Sequence, residues 1–186
     1  SWYDFDPKYK GGYRSWWGFE TLPEVNEENP SYVEFITGEG GVIDTWLRRG
    51  AAGFRLDVAD ELPDDFIEKI RAAAKRVSPE KFLLGEVWED ATTKYGFGQR
   101  RTYLLGKGLD SVMNYPFKNA VLDFVKGKPA EQAMGEILSI CEHYPAPAMD
   151  TALNFLSTHD TERALTVIAD EPANGRGREW QSGRCV

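Results

Sequence analysis

Apolar and polar positions along the chain follow two alternating periods, and these periods predict strands that alternate with helices. Short apolar runs of the kind that form buried strands cover residues 53–58, 82–87, 109–114 and 152–157. Apolar residues at helical spacing fill the intervals, between Asn29 and Gly50 and over residues 62–77, 116–125, 129–143 and 161–169. Because strand, helix and strand at this spacing require right-handed parallel crossovers, the pattern predicts an α/β fold.

Two architectures satisfy this alternation, a doubly wound sheet and a (β/α) barrel. A nucleotide-binding sheet would carry a glycine-rich loop between a strand and the following helix. The fragment Gly96-Phe97-Gly98 lies in a loop instead. We therefore favour the barrel, in which functional groups lie at the carboxyl ends of the strands.

The chain divides into an aromatic-rich loop segment, residues 1–29, and a region of βα units, residues 30–186. We predict that residues 1–186 together form part of a single barrel domain. The first nineteen residues contain Trp2, Tyr3, Phe5, Tyr9, Tyr13, Trp16, Trp17 and Phe19. These rings either stack on the flat apolar face of a ligand or anchor a long loop by packing, and the second role is the commoner one.

Carboxylates follow three of the apolar runs. Asp57 and Glu86 lie at the ends of the first two runs, and Asp160 follows the last. Arg55 precedes Asp57 by two residues, so the two side chains share one face of the strand and are placed to form an ion pair. Charged side chains are rarely buried unless they are paired. A purely structural ion pair is the alternative for Arg55 and Asp57 taken alone.

Glycoside hydrolysis requires two carboxyl groups in different surroundings. One is ionised and attacks or stabilises an oxocarbenium-like centre, and the other is protonated and delivers its proton to the leaving oxygen. Arg55 would hold Asp57 ionised, whereas apolar neighbours of Glu86 predict that desolvation raises its pKa. We therefore expect Asp57 to act as nucleophile and Glu86 as acid/base. Trp88 and Tyr115, each just past a strand end, are expected to line the pocket.

Composition and charge narrow the range of partners. With 22 basic and 30 acidic residues, the net charge is −8, which disfavours nucleic acids and anionic membrane surfaces. No apolar run is long enough to span a bilayer, and the first residues carry no signal-peptide pattern. Cys141 and Cys185 form neither a disulfide framework nor a metal cluster. We therefore expect a cytoplasmic protein.

Three segments resemble consecutive signature segments of the α-amylase family, glycoside hydrolase family 13. They are Gly53-Phe54-Arg55-Leu56-Asp57, Gly85-Glu86-Val87-Trp88 and Ser157-Thr158-His159-Asp160, in this order. The resemblance implies a partial (β/α)8 TIM barrel, roughly strands four to seven with their helices, and a retaining double displacement. Asp57 would be the covalent nucleophile, Glu86 the general acid/base and Asp160 the carboxylate that stabilises the transition state. Arg55 and His159 would bind substrate beside them.

Residues 16–26 resemble the segment before the fourth strand in neopullulanases, cyclomaltodextrinases and maltogenic amylases. Glu24 and Val25 depart from the Met-Pro-Lys-Leu-Asn core of those enzymes. The implied substrates are maltooligosaccharides or related α-glucans, and the chemistry needs no cofactor. Asp4, Asp6 and Asn26 offer oxygen ligands to a structural calcium ion, with a solvated acidic loop as the commoner alternative.

The resemblance covers only part of the family's barrel, because its first signature and its eighth strand have no counterpart in the sequence. A complete barrel of this kind has about 250 residues. We therefore expect an internal part of a longer enzyme, which is inactive in isolation. Uncovered strand edges and helix faces predict that this part forms a homo-oligomer, aggregates or belongs inside a larger molecule.

Two other functions remain open for the same site. A glucan transferase or phosphorylase would use a sugar hydroxyl or phosphate in place of water at the second step. A non-catalytic, carbohydrate-binding relative of the barrel is disfavoured, because such relatives typically lose the nucleophile or the acid. Here Asp57, Glu86 and Asp160 are all present.

Overall fold

The computed structural model describes residues 1–169, 179, 180 and 183. The strands are β1 Gly53–Leu56, β2 Phe82–Gly85, β3 Tyr95–Gly96, β4 Gln99–Arg100 and β5 Ser111–Val112. The helices are α1 Pro30–Thr37, α2 Val42–Arg48, α3 Asp64–Val77, α4 Tyr115–Val125, α5 Ala130–His143, α6 Ala146–Asp150 and α7 Ala164–Ala169. Short 3₁₀ turns cover Lys10–Gly12, Trp16–Gly18 and Ala59–Glu61.

Strands β1, β2 and β5 form a parallel sheet in the order β1-β2-β5. An isolated parallel bridge from Met113 to Leu153 continues the sheet by one more position. Helix α3 connects β1 to β2, and helices α4, α5 and α6 lie between β5 and the bridge. The predicted α/β alternation is confirmed, and the sheet with its helices is part of a (β/α)8 barrel.

The core lies between this sheet and the helices that cover it. Helix α3 buries one apolar stripe, whose members are Phe66, Ile67, Ile70, Ala73 and Ala74. The stripe packs with strand residues Leu83 and Val112 and with residues of α2 in a single cluster. Acidic residues in the first turn of α3 and basic residues in its last turn complement the helix dipole, as the sequence predicts.

The helix predicted between Asn29 and Gly50 is wrong, because the chain forms α1 and α2 with a turn between them. Asn29 does cap α1, and its side chain accepts from the backbone N–H groups of Ser31 and Tyr32. The break follows Gly38, whose N–H closes the last turn of α1. Gly40 has a φ of +75°, which L-residues rarely adopt, so a continuous helix cannot pass through it.

The strand predicted over residues 152–157 reduces to the single bridge at Leu153. The Leu153 N–H donates to the Val112 carbonyl at 3.1 Å, and the Leu153 carbonyl accepts from the Asn114 N–H at 2.9 Å. Helix α4 begins at Tyr115, directly after these contacts, so β5 offers no further backbone groups for a longer ladder.

The aromatic-rich segment, residues 1–29, folds back on itself. Antiparallel bridges join Tyr3 to Val25, Phe5 to Tyr13 and Ser15 to Pro23. The ring of Trp2 packs against Tyr32 and Phe35 of α1, at centroid distances of 5.4 and 4.9 Å. Part of the cluster therefore anchors the segment, and part of it, including Trp17 and Phe19, is exposed.

None of the described helices is long and apolar enough to cross a membrane. Cys141 is exposed and unpaired, and Cys185 lies outside the described residues.

Candidate active site

The carboxyl ends of β1 and β2 bring the first two predicted carboxylates together. Leu56 is in register with Gly85, so Asp57 and Glu86 are the next residues on adjacent parallel strands. The Glu86 N–H donates to the Leu56 carbonyl at 3.0 Å, and the Glu86 carbonyl accepts from the Ala59 N–H at 3.1 Å. Backbone hydrogen bonds therefore join the two segments of chain that carry these residues.

Arg55 contacts both carboxylates with one guanidinium group. Its Nη1 donates to Asp57 Oδ1, which forms the ion pair that the sequence predicts. Its Nη2 lies 3.0 Å from Glu86 Oε1. The Asp57 side chain is 72% exposed and the Glu86 side chain only 4%, so the two carboxyl groups stand in different surroundings. Asp57 is thus open to a ligand and Glu86 is enclosed.

The surroundings of Glu86 differ from the apolar pocket that its sequence neighbours predict. Oε2 accepts from the Val58 N–H at 2.9 Å, and Oε1 accepts from Trp88 Nε1 at 3.0 Å and from the Tyr115 hydroxyl at 3.4 Å. Because a buried carboxylate needs such partners, these donors and Arg55 make its burial tolerable. These contacts also fix the orientation of the carboxyl group.

Val58 adopts a left-handed conformation, with φ +40° and ψ +47°. This conformation is strained for a β-branched residue, and such strain persists only where surrounding contacts impose it. Here it directs the Val58 N–H to Glu86 and turns the chain from β1 into the 3₁₀ turn at Ala59–Glu61. The backbone directly after Asp57 is thus shaped to hold Glu86.

Tyr115 and Trp88 form a stack beside Glu86, with ring centroids 4.7 Å apart and planes at 14°. Trp88 is 47% exposed and can form a pocket wall. Tyr115 is only 1% exposed, because Trp88 and Phe155 cover it, so it is corrected from a pocket wall to a support behind the wall. Burial raises the pKa of Tyr115, and the charges of Glu86 and Asp160 add to this. Its hydroxyl therefore stays protonated and donates.

His159 and Asp160 form their own pair, with His159 Nε2 3.1 Å from Asp160 Oδ2. The Asp160 N–H donates to Thr158 Oγ1 at 3.2 Å, and the Thr158 N–H donates to Thr161 Oγ1 at 2.9 Å. Both predicted side chains are open to solvent. The charges of both Glu86 and Asp160 act on the Tyr115 hydroxyl, so the two carboxyl groups lie near the same tyrosine.

Glu61 binds both tryptophans of the Trp16-Trp17 pair, a contact that sequence reasoning did not find. Trp16 Nε1 donates to Glu61 Oε2 at 2.7 Å, and Trp17 Nε1 donates to Glu61 Oε1 at 3.1 Å. The two indoles are stacked at 5.3 Å, and Trp17 is 75% exposed. Because Glu61 lies in the turn after Asp57, an oriented aromatic surface stands beside the candidate nucleophile. Only the tertiary fold joins residues so distant in sequence.

Asp4, Asp6 and Asn26 do not form a calcium site in this structure. Asp6 accepts from the Lys8 N–H at 2.9 Å and pairs with Lys8 Nζ at 3.0 Å. Asp4 pairs with Arg14 at 3.6 Å and accepts from Asn26 Nδ2 at 3.4 Å. Their oxygens are thus used by cations and amides of the protein itself. Across the described part of the chain, no group of three or more His, Cys, Asp or Glu side chains could hold a metal ion.

The Asp57 and Asp160 side chains are open to solvent, whereas Glu86 is enclosed. Two open grooves, of about 630 and 500 Å³, lie between α4 and α5 and between α1 and α2. Neither groove includes Asp57, Glu86 or Asp160.

Comparison with known proteins agrees with this geometry. A family model described as the alpha amylase catalytic domain matches residues 5–180. An amylopullulanase from Thermoanaerobacter thermohydrosulfuricus is 36% identical over 94% of this chain and 13% of its own length. A cyclomaltodextrinase from a Bacillus species is 36% identical over 80% of this chain and 25% of its own length. The chain thus spans a quarter or less of these two relatives.

Solved structures show the same fold. A cyclic α-maltosyl-(1→6)-maltose hydrolase from Arthrobacter globiformis superposes with a TM-score of 0.79 and 27% identity, over 90% of this chain and 37% of that one. The type III pullulan hydrolase from Thermococcus kodakarensis superposes with a TM-score of 0.80 and 26% identity, over 98% of this chain and 32% of that one.

Proposed function

Because this chain belongs to the α-amylase family of glycoside hydrolases, we propose that it carries the catalytic residues of an enzyme that hydrolyses α-glucosidic bonds with retention. Asp57 is the nucleophile, Glu86 the general acid/base and Asp160 the stabilising carboxylate. The observation that carries the proposal is the guanidinium of Arg55, which contacts an exposed and a buried carboxyl group at adjacent strand ends.

In the first step, Asp57 attacks the anomeric carbon while Glu86 transfers its proton to the leaving glycosidic oxygen. The carbon–oxygen bond to the leaving sugar breaks, and an ester bond to Asp57 forms. Arg55 Nη1 donates to Asp57 Oδ1, and this charge-assisted contact orients the carboxylate for the attack. The Asp57 carboxylate is exposed and therefore accessible to the sugar ring.

In the second step, Glu86 takes a proton from water as the water oxygen attacks the anomeric carbon. The ester bond breaks, Asp57 recovers its negative charge, and Glu86 is protonated again. Trp88 and Tyr115 hold the Glu86 carboxyl group in one orientation throughout, through their bonds to Oε1. Orientation of this kind contributes to catalysis because the proton must travel to one defined oxygen.

Asp160 and His159 act on the sugar hydroxyls. Both side chains are open to solvent, and they follow the segment that pairs with the end of β5 through Leu153. A carboxylate accepts hydrogen bonds from two neighbouring hydroxyls, and these bonds strengthen as positive charge develops on the ring. The exposed faces of Trp17 and Trp88 suit the apolar faces of glucose units.

The substrate is an α-glucan, such as a maltooligosaccharide, pullulan or a cyclodextrin. Relatives named amylopullulanase and cyclomaltodextrinase support this range. The net charge of −8 is compatible with a neutral sugar. Maltotriose, pullulan and β-cyclodextrin, assayed side by side, would rank these substrates. Products longer than the starting oligosaccharide would reveal glucan transfer instead of hydrolysis.

The test of the proposed function is Asp57→Asn in the full-length protein, with Asp65→Asn as control. Asp65 lies on α3 and pairs with Lys69 at the surface. We expect Asp57→Asn to lower kcat by about 10⁴-fold or more, with folding unchanged, because the nucleophile is lost. The wild-type product should have the α configuration when followed by NMR. A β product, or an unchanged kcat for Asp57→Asn, would refute the retaining mechanism.

A further inference from the structure

Arg101 is fully buried between the loop that follows β1 and the loop that follows β2. Its Nε donates to Asp64 Oδ1 at 2.8 Å, and its Nη2 donates to the Leu62 carbonyl at 2.7 Å. The Asp60 carbonyl accepts from Nη1, and the Ala59 carbonyl accepts from Nη2 at 3.4 Å. One guanidinium group thus binds the carbonyls of a single turn and the first residue of α3.

Only an arginine matches this arrangement. Its planar fork reaches several carbonyls at once, whereas the ammonium group of lysine is a compact point charge. The guanidinium also lies 4.6 Å from the ring centroid of Tyr103 and 5.4 Å from that of Phe97. Buried carbonyls without a partner cost free energy, so loss of Arg101 would release this turn.

The turn that Arg101 holds is the turn that binds Glu86. The Ala59 N–H donates to the Glu86 carbonyl at 3.1 Å, and the Val58 N–H donates to Glu86 Oε2 at 2.9 Å. Val58 keeps its strained, left-handed backbone because contacts on both sides impose it. Arg101 supplies contacts on the side away from Glu86.

Lys94 strengthens the connection between the two loops. Its Nζ lies 2.9 Å from Asp60 Oδ2, and its carbonyl accepts from the Arg101 N–H at 2.8 Å. The loop after β2 is therefore attached to the turn after β1 by side chains and backbone. The residues that follow the two candidate catalytic carboxylates form one rigid unit.

We propose that Arg101 is a positioning residue, which sets the separation of Asp57 and Glu86 by holding the turn after Asp57 against the loop after Glu86. The inference rests on the proposed function of these two carboxylates. A retaining glycosidase needs its two carboxyl groups about 5–5.5 Å apart. A displacement of about 1 Å at a catalytic group can cost about 10²-fold in rate.

The first test compares Arg101→Lys with Arg100→Lys in the full-length protein, on p-nitrophenyl α-maltoside. Arg100 is the matched control, because it is the adjacent arginine and its exposed guanidinium donates to the Thr92 carbonyl of its own loop. We expect Arg101→Lys to lower kcat by about 10²-fold with KM changed less than about twofold. Arg100→Lys should leave both constants unchanged. A kcat within about threefold of wild type for Arg101→Lys would overturn the proposal.

A double variant separates positioning from general destabilisation. The background variant is Glu86→Gln, which has already lost the acid/base. If Arg101 acts through the separation of Asp57 and Glu86, adding Arg101→Lys to this background should lower kcat by less than about fivefold. Partial unfolding would multiply the rate by the same factor in both backgrounds. An equal factor in both would therefore overturn the positioning role.

Hydrogen exchange tests the role of Arg101 independently of activity. We expect Arg101→Lys to raise amide exchange at Val58 and Ala59 by about tenfold or more, with the interior of α3 unchanged. Unchanged exchange at these amides would overturn the proposal. This measurement needs no substrate, so it remains decisive if Asp57→Asn shows that the proposed function is wrong.

Gly96→Ala is the alternative test variant if the Arg101→Lys protein does not fold. A Cβ at Gly96 would lie 3.2 Å from both Cδ and Nη1 of Arg101, so it would displace the guanidinium while leaving every partner in place. We expect the same pattern at a smaller size, with kcat lowered about threefold to tenfold, KM unchanged and faster exchange at Val58. Wild-type kcat and exchange would overturn the proposal.

Discussion

At the scale of single residues, the site depends on how Glu86 is held. Its carboxyl group is buried, yet Val58, Trp88 and Tyr115 all donate to it. The donors come from different segments of the chain and bind both carboxyl oxygens. Together they therefore restrict the rotation of the Glu86 side chain. The acid/base role that we propose thus relies on an oriented group and not on burial alone.

The leaving-group dependence of Glu86→Gln tests the acid role. Without a proton donor, hydrolysis of natural maltosides should fall by about 10³-fold or more, because their leaving oxygen needs a proton. The first step on p-nitrophenyl α-maltoside should fall by less than about tenfold, since nitrophenolate leaves without help. Pre-steady-state release of nitrophenol measures this step. Equal losses on the two substrates would contradict the assignment.

Tyr115→Phe removes the hydroxyl that donates to Glu86 and keeps the stacked ring. We expect kcat to fall by about threefold to tenfold, because the 3.4 Å bond is long and two other donors remain. Burial raises the pKa of Tyr115, so its hydroxyl stays protonated and the factor should be the same from about pH 5 to 9. Tyr95→Phe, an exposed hairpin residue, is the control. A factor that disappears at high pH would contradict this reading.

The sequence identified the individual carboxylates and the Arg55–Asp57 ion pair, but not the donors to Glu86. Asp57 and Glu86 stand out because each ends an apolar strand, and Arg55 follows from the two-residue period. The donors to Glu86 could not be predicted, since one depends on the φ angle of Val58 and another on Tyr115, from a distant helix. Arg101 gave no signal for the same reason.

At the scale of secondary-structure elements, glycine and charge determine where helices end and how they attach. The chain turns between α1 and α2 at Gly40, and the α2 residue Asp44 binds Arg76 of α3 at 2.8 Å. Helix α3 is attached to β2 and β5 through Asp110. This residue accepts from Arg71 at 2.6 Å, from Lys75 at 3.0 Å and from the Leu83 N–H at 2.8 Å.

Gly40→Ala tests the turn between α1 and α2. A φ of +75° is unfavourable for alanine, so we expect a loss of about 1–2 kcal/mol in the free energy of unfolding. Gly135→Ala in the interior of α5 is the control, because its Cβ would meet no atom within 4 Å. It should gain about 0.5–1 kcal/mol from helix propensity. Denaturant unfolding measures both, and a stabilising Gly40→Ala would show that the turn is not strained.

Asp110→Asn tests the attachment of α3. Burial alone would raise the pKa of Asp110, but bonds from Arg71, the Leu83 N–H and Lys75 outweigh it and hold the pKa below its usual range. The ionised form therefore stabilises the fold above the unfolded pKa of about 3.9, and this contribution is lost as the pH falls through the lower folded pKa.

At pH 7 we expect Asp110→Asn to cost about 1–3 kcal/mol in the free energy of unfolding. The difference from wild type should shrink below about pH 4. Unfolding by urea at a series of pH values measures it, with the surface variant Asp65→Asn as control. A difference that grows in acid would contradict the pKa direction.

Helix boundaries from Asp64 to His143 followed the sequence because the Asn114 cap, prolines and dipole charges reinforce the apolar stripes. Three segments did not follow it. The break at Gly40 interrupts a stripe that continues on both sides, and α6 is too short to show a period. The run over residues 152–157 has strand composition but only one ladder partner, which depends on tertiary pairing.

At the scale of the whole molecule, the parallel sheet presents its carboxyl ends to one open face. Asp57 and Glu86 directly follow β1 and β2 there, and the half-exposed Trp88 lies two residues beyond Glu86. The fold class was predictable from alternation alone, whereas the shape of a substrate cleft depends on tertiary contacts that no local pattern encodes.

We expect the isolated chain, residues 1–186, to show less than roughly a thousandth of the kcat of the full-length protein, because an open site loses orientation and admits water. The assay uses maltotriose and p-nitrophenyl α-maltoside, with sedimentation to record self-association. Full turnover by a monomeric chain would contradict this expectation. Turnover that rises with the dimer fraction would indicate that two copies complete the site.

The shared contacts of Arg55 have a consequence for the whole reaction cycle. In the proposed mechanism, the free enzyme carries its negative charge on Asp57, and the covalent intermediate carries it on Glu86. One anion thus lies beside the same cation before and after each step. The guanidinium does not need to move while the charge passes from one strand end to the next. The net charge of Arg55, Asp57 and Glu86 together stays the same. The surrounding dipoles therefore need little rearrangement, which keeps their contribution to the barrier small.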